Sequence, residues 1–212
     1  RKVIQGIIGA LDIFRSLKSL GSGPSLFIEF YRDRVLDRIA SMEKNAFFKE
    51  LNELDRFFIN GKEYKSLRRM YLDFIGEASN LAVLTDGQQP SFFHGDLHFE
   101  NILVDDDGGI KLVDPNGRIT GLLSYDLGKI LHSIVGRYDL IQDGRYSLEE
   151  NGKNFSFRVE DSPELEVLQR IVLDELRVKF SEKLLVQSYF ACWCHMISLI
   201  PHHFENKNNQ SL

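Results

Sequence analysis

Cysteine is nearly absent from this chain. Cys192 and Cys194 are the two in 212 residues, and they flank Trp193. On a helix, positions two apart point in different directions. A disulfide between them is not expected, and a fold stapled by disulfides is excluded. Buried free thiols in a reducing, cytoplasmic compartment are expected instead. An excess of positive charge is lacking too: the formal net charge is -5. That removes the electrostatic footprint of a nucleic-acid binder. No apolar run reaches the ~18 to 20 residues of a bilayer-crossing helix, and no signal peptide is visible, so no membrane association is expected. Repeats and low-complexity linkers are also missing. What remains is ordinary for a globular protein, with 43% hydrophobic and 27% charged residues. Such a chain can bury a sizeable core in one domain, or in one large lobe of a two-lobed protein.

Apolar residues recur at helical spacing through most of the chain. Val3, Ile4, Ile7, Ile8, Leu11 and Phe14 predict an amphipathic helix over about 2–19, ended by Gly21-Ser22-Gly23-Pro24. A second helix carries Phe27, Phe30, Tyr31, Val35, Ile39 and Met42. A third runs through Phe47, Phe48, Leu51, Leu54 and Phe57, and Asn60-Gly61 breaks the pattern. A longer helix carries Leu67, Met70, Tyr71, Phe74, Ala78 and Leu81. Further on, Leu127, Ile130, Leu131, Ile134 and Val135 mark a helix beginning near Asp126. Residues 146–148 and 155–159 suggest a hairpin. Ser162-Pro163-Glu164 has the N-cap, first-position proline and first-turn acid of a helix start. A last helix is predicted from about Ser181 to a stop at Pro201. After it, His202-His203 reads as a packing or capping pair before a frayed polar tail, 205–212.

The most informative segment is His94-Gly95-Asp96-Leu97-His98-Phe99-Glu100-Asn101-Ile102-Leu103-Val104, followed by Ile110-Lys111-Leu112-Val113-Asp114. It reads as a loop, a short strand, a tight turn and a second strand. Pairing Val104 with Ile110 across Asp105–Gly109 also pairs Ile102 with Leu112. Asn101 then lies beside Val113 and close to Asp114, with Asp96 a few residues upstream. Oxygen ligands with room for water suit a hard cation such as magnesium. A nearby carboxylate that ligates nothing can orient a hydroxyl or take its proton. The run Asp105–Asp107 reads first as a solvated hairpin tip. His94 and His98 also allow a half-buried or helical i, i+4 reading, but no third soft ligand stands at zinc spacing.

This arrangement resembles the aminoglycoside phosphotransferase and choline kinase superfamily, protein-kinase-like enzymes that act on small molecules. Their catalytic loop has the form H-G-D-x-H-x-x-N, matched here by His94, Gly95, Asp96, His98 and Asn101. The resemblance implies Asp96 as catalytic base and Asn101 and Asp114 as magnesium ligands that also hold the nucleotide. It places His98 near the transferred phosphoryl group. ATP or GTP would be the donor. The acceptor would be a hydroxyl of an aminoglycoside, a sugar, a choline-like alcohol or a hydroxy amino acid. Asp114-Pro115-Asn116-Gly117 stands where the metal-binding D-F-G segment of such kinases stands. Asp126 resembles the helix-starting aspartate that braces the loop from below, a supporting role.

The implied fold is α+β, a mostly helical kinase-like C-terminal lobe over residues 1–204 with short hairpins at the catalytic loop. A nucleotide lobe is not evident before His94: Gly21-Ser22-Gly23 lacks the G-x-G-x-x-G spacing, and no V-A-I-K-like strand is present. The chain begins with Arg1 rather than Met, and that lobe is expected upstream in the parent protein. A non-catalytic binding or scaffold module that kept the lobe is the alternative. A protein kinase fits less well, given Gly95, His98 and the lack of an A-P-E segment. Acceptor contacts are expected from the helices over 25–85 and 160–204. The net acidity suits solubility first and a cationic acceptor second. Glu29, Asp33 and Asp139 are candidates for facing such a cation, with solvated helix charges as the plainer reading.

Overall fold

The computed structural model describes residues 1–17, 21–160 and 162–209, the last eight by backbone alone. Helix α1 (Lys2–Ser16) buries Ile4, Ile7, Ile8 and Leu11, the stripe its periodicity predicts. The rest of its expected span, 18–19, lies outside the described residues. Ser22 caps α2 (Gly23–Phe27), accepting from the Ser25 N–H, with Pro24 in the first turn. Gly21–Pro24 therefore opens a helix as well as separating two. The chain continues through a π-helical segment, Ile28–Asp33, into α3 (Arg34–Met42).

Asn45 caps α4 (Ala46–Glu53). Phe57, which helical spacing assigns to this helix, lies instead on β1 (Phe57–Ile59), antiparallel to β2 (Lys62–Tyr64). Asn60 and Gly61 between them have φ of 50° and 76°. Two positive-φ residues form the hairpin turn that Asn-Gly favours, so this pair joins two strands rather than only ending a helix. The single helix expected over 67–81 is two, α5 (Leu67–Gly76) and α6 (Ala78–Thr85), divided at Glu77, whose backbone is extended.

β3 (Pro90–Phe92) leads to the loop, followed by β4 (Ile102–Val104) and β5 (Ile110–Leu112), and then β6 (Thr120–Leu122). β4 and β5 pair in the expected register, Ile102 with Leu112 and Val104 with Ile110. β3 pairs with β6. Next come α7 (Leu123–Ile134), α8 (Tyr138–Gln142) and the expected hairpin, β7 (Tyr146–Asn151) with β8 (Asn154–Val159). β8 also pairs in parallel with β1, giving a four-stranded sheet of order β2-β1-β8-β7. Ser162 caps α9 (Pro163–Lys179) as predicted. The last helix, α10 (Glu182–Asn209), does not stop at Pro201 but carries it inside. Of the expected tail, 210–212 lie outside the described residues, as do the side chains of His202 and His203. The architecture is α+β, mostly helical with small sheets.

Two apolar clusters form the core. One gathers Phe27, Phe30, Tyr31, Tyr71, Tyr125 and Phe190. The other gathers Ile4, Leu11, Leu97, Leu127, Leu131 and Leu176. α7 contributes to both, and α10 lies close against it. A Cβ at Gly128 would stand 2.6 Å from the Ala191 Cβ, so the contact depends on a missing side chain. Residues Glu182–Pro201 are, by length and composition, long and apolar enough to cross a bilayer, which corrects the expectation that no segment is. More than half of that stretch is buried inside the protein, including Phe190, Ala191, Cys194 and Ile197. It serves as a core helix. Cys192 and Cys194 are buried free thiols, as expected.

Candidate active site

The β4–β5 hairpin brings two stretches of chain side by side. The Val113 N–H donates to the Asn101 carbonyl at 3.1 Å, and the Asn116 N–H to the His94 carbonyl at 3.1 Å. Asp114 is therefore one residue beyond a direct bond to Asn101. Its φ is 55°, a left-handed conformation that aspartate tolerates better than most residues. Its side chain is exposed.

The loop rests on α7. The Asp126 carboxylate, 1% exposed, accepts the backbone N–H of His94 and of Gly95, both at 2.8 Å. Burial pushes its pKa up to about 7, against the lowering effect of those two bonds. His94 is a second strut. Its Nε2 must donate to the Val113 carbonyl at 2.9 Å, because a carbonyl only accepts, and this leaves Nδ1 to accept the Asp96 N–H at 3.3 Å. Burial lowers the His94 pKa, in keeping with that neutral ring. Gly95 has φ of 78°, and a Cβ there would lie 2.3 Å from Asn116 Nδ2. Glycine is the residue that fits both the conformation and the space.

The Asp96 carboxylate is partly exposed. Its Oδ1 lies 2.9 Å from Lys129 Nζ, and its Oδ2 lies 3.6 Å from His98 Nε2. Burial works to raise the Asp96 pKa, but His98 and then Lys129 outweigh it and hold the group well below the usual carboxylate range. At 3.6 Å the His98 contact is an ion-pair distance rather than a hydrogen bond, so Lys129 is the firmer partner. The His98 pKa is raised, mainly by Asp96. Asn101 is buried, and its Nδ2 donates to the Asp96 carbonyl at 2.8 Å. No hydrogen bond engages Asn101 Oδ1 among the described residues.

All four residues singled out by the sequence, Asp96, His98, Asn101 and Asp114, thus lie on two adjoining stretches. Asn101 Oδ1 and the Asp114 carboxylate are hard oxygen donors of the kind magnesium takes. Among the described residues no group of three or more His, Cys, Asp or Glu could hold a metal ion. The remaining ligands of a magnesium ion here would come from phosphate and water. At the hairpin tip, Asp105 Oδ1 accepts from the N–H of Asp107 at 3.1 Å and of Gly109 at 2.6 Å. That is a turn-forming role, as expected.

Lys129 was not among the sequence candidates. Its signal was its place three residues after Asp126, on the same side of one helix. Arg34 of α3 was missed as well, and donates to the Tyr125 hydroxyl at 2.6 Å beside the loop. The acidic candidates point elsewhere. Glu29 pairs with Arg118 at 2.5 Å and Asp33 with Arg32 at 2.8 Å. Asp139 is half-buried, and burial raises its pKa. None of the three lines the cavity that opens at Asp96.

A pH dependence follows from the Lys129 contact. A carboxyl with a depressed pKa supplies stability that is present above its unfolded value near 4 and lost as pH falls through the lower folded value. In Lys129→Met the Asp96 midpoint should rise toward that ordinary value, read from the carboxyl carbon shift by NMR. An unmoved midpoint would show that Lys129 is not the cation that matters.

The family comparison gives the class to which this loop, hairpin and helical scaffold belong, a phosphotransferase of the kinase-like type. The model of the phosphotransferase enzyme family, APH, matches residues 26–154, which include α3, the loop, the hairpin and α7. The chain belongs to that family, within the aminoglycoside phosphotransferase and choline kinase superfamily. Kinases of this family generally use ATP and magnesium. Comparisons with curated proteins and with solved structures return no match.

Proposed function

We propose that this chain carries the catalytic and acceptor-binding lobe of a small-molecule kinase, moving the terminal phosphoryl group of ATP or GTP to an alcohol. One observation carries the reading: an aspartate held ionised stands at the mouth of a cavity, with the two oxygen donors on the adjoining stretches. Asp96 orients the acceptor hydroxyl and takes its proton late in the transfer. A weak base suits that timing, because such transfer depends on positioning and charge neutralisation more than on proton abstraction. Asn101 and Asp114 would hold magnesium, which supplies neutralisation of the phosphate charge when bound. His98, whose Nε2 lies 3.2 Å from Asn101 Nδ2 and 3.6 Å from Asp96 Oδ2, is the side chain we assign beside the migrating group. Asp126 and His94 keep the loop in place.

The described residues before His94 hold no Gly-rich phosphate lid, and the lysine their strands carry, Lys62 of β2, is exposed, with its Nζ 5.6 Å from the centroid of the Tyr64 ring. A separate lobe covering the nucleotide is part of the proposal, joined near α1. A reducing cytoplasm, in which Cys192 and Cys194 stay as thiols, is the compartment we propose. In Asp114→Ala, the magnesium concentration giving half-maximal ADP release should rise about tenfold or more, as loss of a charged ligand implies. The fold should be unchanged by circular dichroism. An unaltered magnesium dependence would remove Asp114 from the site. Failure of the chain to bind magnesium nucleotide at all would favour the scaffold reading.

A further inference from the structure

We infer that the acceptor is an anionic alcohol, carrying a carboxylate or phosphate that Arg34 and Arg38 hold beside Asp96. This rests on the phosphotransferase reading of the site and names its substrate class. The cavity at Asp96 has a volume of about 260 Å³ and is lined by Arg34, Arg38, Tyr125, Lys129 and His195 among others. That is less than the roughly 300–1,000 Å³ of sites for drug-sized ligands, and suits a single ring or short chain. It lies on the α3 and α10 side of the loop, and neither Asn101 nor Asp114 lines it. It is therefore the place for the acceptor rather than the nucleotide.

The charges facing this cavity are unbalanced. Arg34, Arg38 and Lys129 are cations, and Asp96 is the one carboxylate. His195 adds no charge: burial drives its pKa well down, and its Nε2 bonds the Tyr125 carbonyl at 3.1 Å. Lys129 is matched by Asp96 at 2.9 Å. That leaves two guanidinium groups, and neither forms an ion pair among the described residues. Other arginines close by do find carboxylates, as Arg32 and Arg118 show. The acids Glu29, Asp33 and Asp37 line the neighbouring outer depression, which Arg34 and Arg38 also border, and not this cavity.

Arg34 and Arg38 are four apart on α3, so like charges share one helix face, an arrangement that destabilises a helix unless something lies between them. The Tyr125 hydroxyl fixes Arg34 in the cavity wall at 2.6 Å. Arginine's planar fork binds carboxylate or phosphate through paired hydrogen bonds, and both arginines line this cavity. A cationic acceptor would meet the like charge of Arg34 and Arg38, and such repulsion selects against it. On this inference the acceptor is a sugar or hydroxy acid that bears an anion, rather than an aminoglycoside or amino alcohol.

The test uses matched hexoses as probes, with binding followed by calorimetry at low salt. Glucuronate and glucose 6-phosphate should bind about tenfold or more tightly than glucose, with glucosamine weakest, as charge-assisted bonds to arginine imply. In the Arg34→Gln/Arg38→Gln variant, folded by circular dichroism, that preference should disappear. Equal binding of the probes, no binding, a preference for glucosamine, or a preference that survives the double substitution would each overturn the inference. ADP release is read separately. Turnover with neutral or cationic alcohols alone would keep the phosphotransferase and remove the anionic acceptor. An anion preference without Asp96-dependent turnover would do the reverse.

Discussion

Asp96→Asn is expected to lower turnover by about 10²- to 10⁴-fold, the range associated with losing a positioned general base. The substitution changes no volume. The amide keeps an oxygen for Lys129, 2.9 Å away in the parent, and turns its NH₂ toward His98 Nε2 on the other side. The loop is held by backbone bonds to Asp126 and His94, which the change does not touch. Thermal midpoint and magnesium-nucleotide affinity should therefore stay near parental values, so the loss appears in kcat. The check is steady-state ADP release at saturating nucleotide and acceptor. Full turnover by this variant would take Asp96 out of the chemistry.

Asp126→Ala should weaken the fold itself. It leaves the N–H groups of His94 and Gly95 buried without an acceptor. Each orphaned group costs about 1–3 kcal/mol, for a total of roughly 2–6 kcal/mol. A domain of this size has about 5–15 kcal/mol in all, so a fall in thermal midpoint on the order of 10 °C is expected. Turnover should fall with it, because the loop carrying Asp96 loses its anchor. The pH dependence has a definite sign. Burial holds the Asp126 pKa at about 7, whereas the unfolded chain titrates near 4. The native state keeps a proton that the unfolded state gives up, so stability from this group declines as pH rises through 7. The alanine variant lacks that slope. The stability gap should be widest at about pH 4 and narrow to a constant value above about pH 7, measured by denaturant titration. A gap that widens with pH would contradict the buried, proton-holding carboxyl.

The chemistry-bearing hairpin was legible because its information is local. A turn rich in Asp and Gly between two short apolar runs fixes a register, and register alone places Asn101 beside Val113. The caps at Ser162 and the stripe of α1 were legible for the same reason. Phe57 was misread because its spacing fits the preceding helix, while the Asn-Gly turn that claims it lies three residues on. The pairing of β1 with β8 joins residues nearly a hundred positions apart, and no neighbouring sequence encodes it. Pro201 failed as a stop because one missing N–H need not end a helix, and α10 runs through it. The cationic wall was invisible for a different reason. Net charge is a sum over the whole surface, whereas Arg34, Arg38 and Lys129 matter through where they converge.

The glycine at 128 ties catalysis to the interior. It sits between Asp126, which steadies the loop, and Lys129, which pairs with the Asp96 carboxylate, and it lets α7 nestle against Ala191. One rod thus serves as both keel and tool rest. Any bulk inserted at its buried seam would tilt the rod and move two functional groups together. On the proposed reading, the rate would report how tightly α7 and α10 are seated, even where no residue in the cleft has changed.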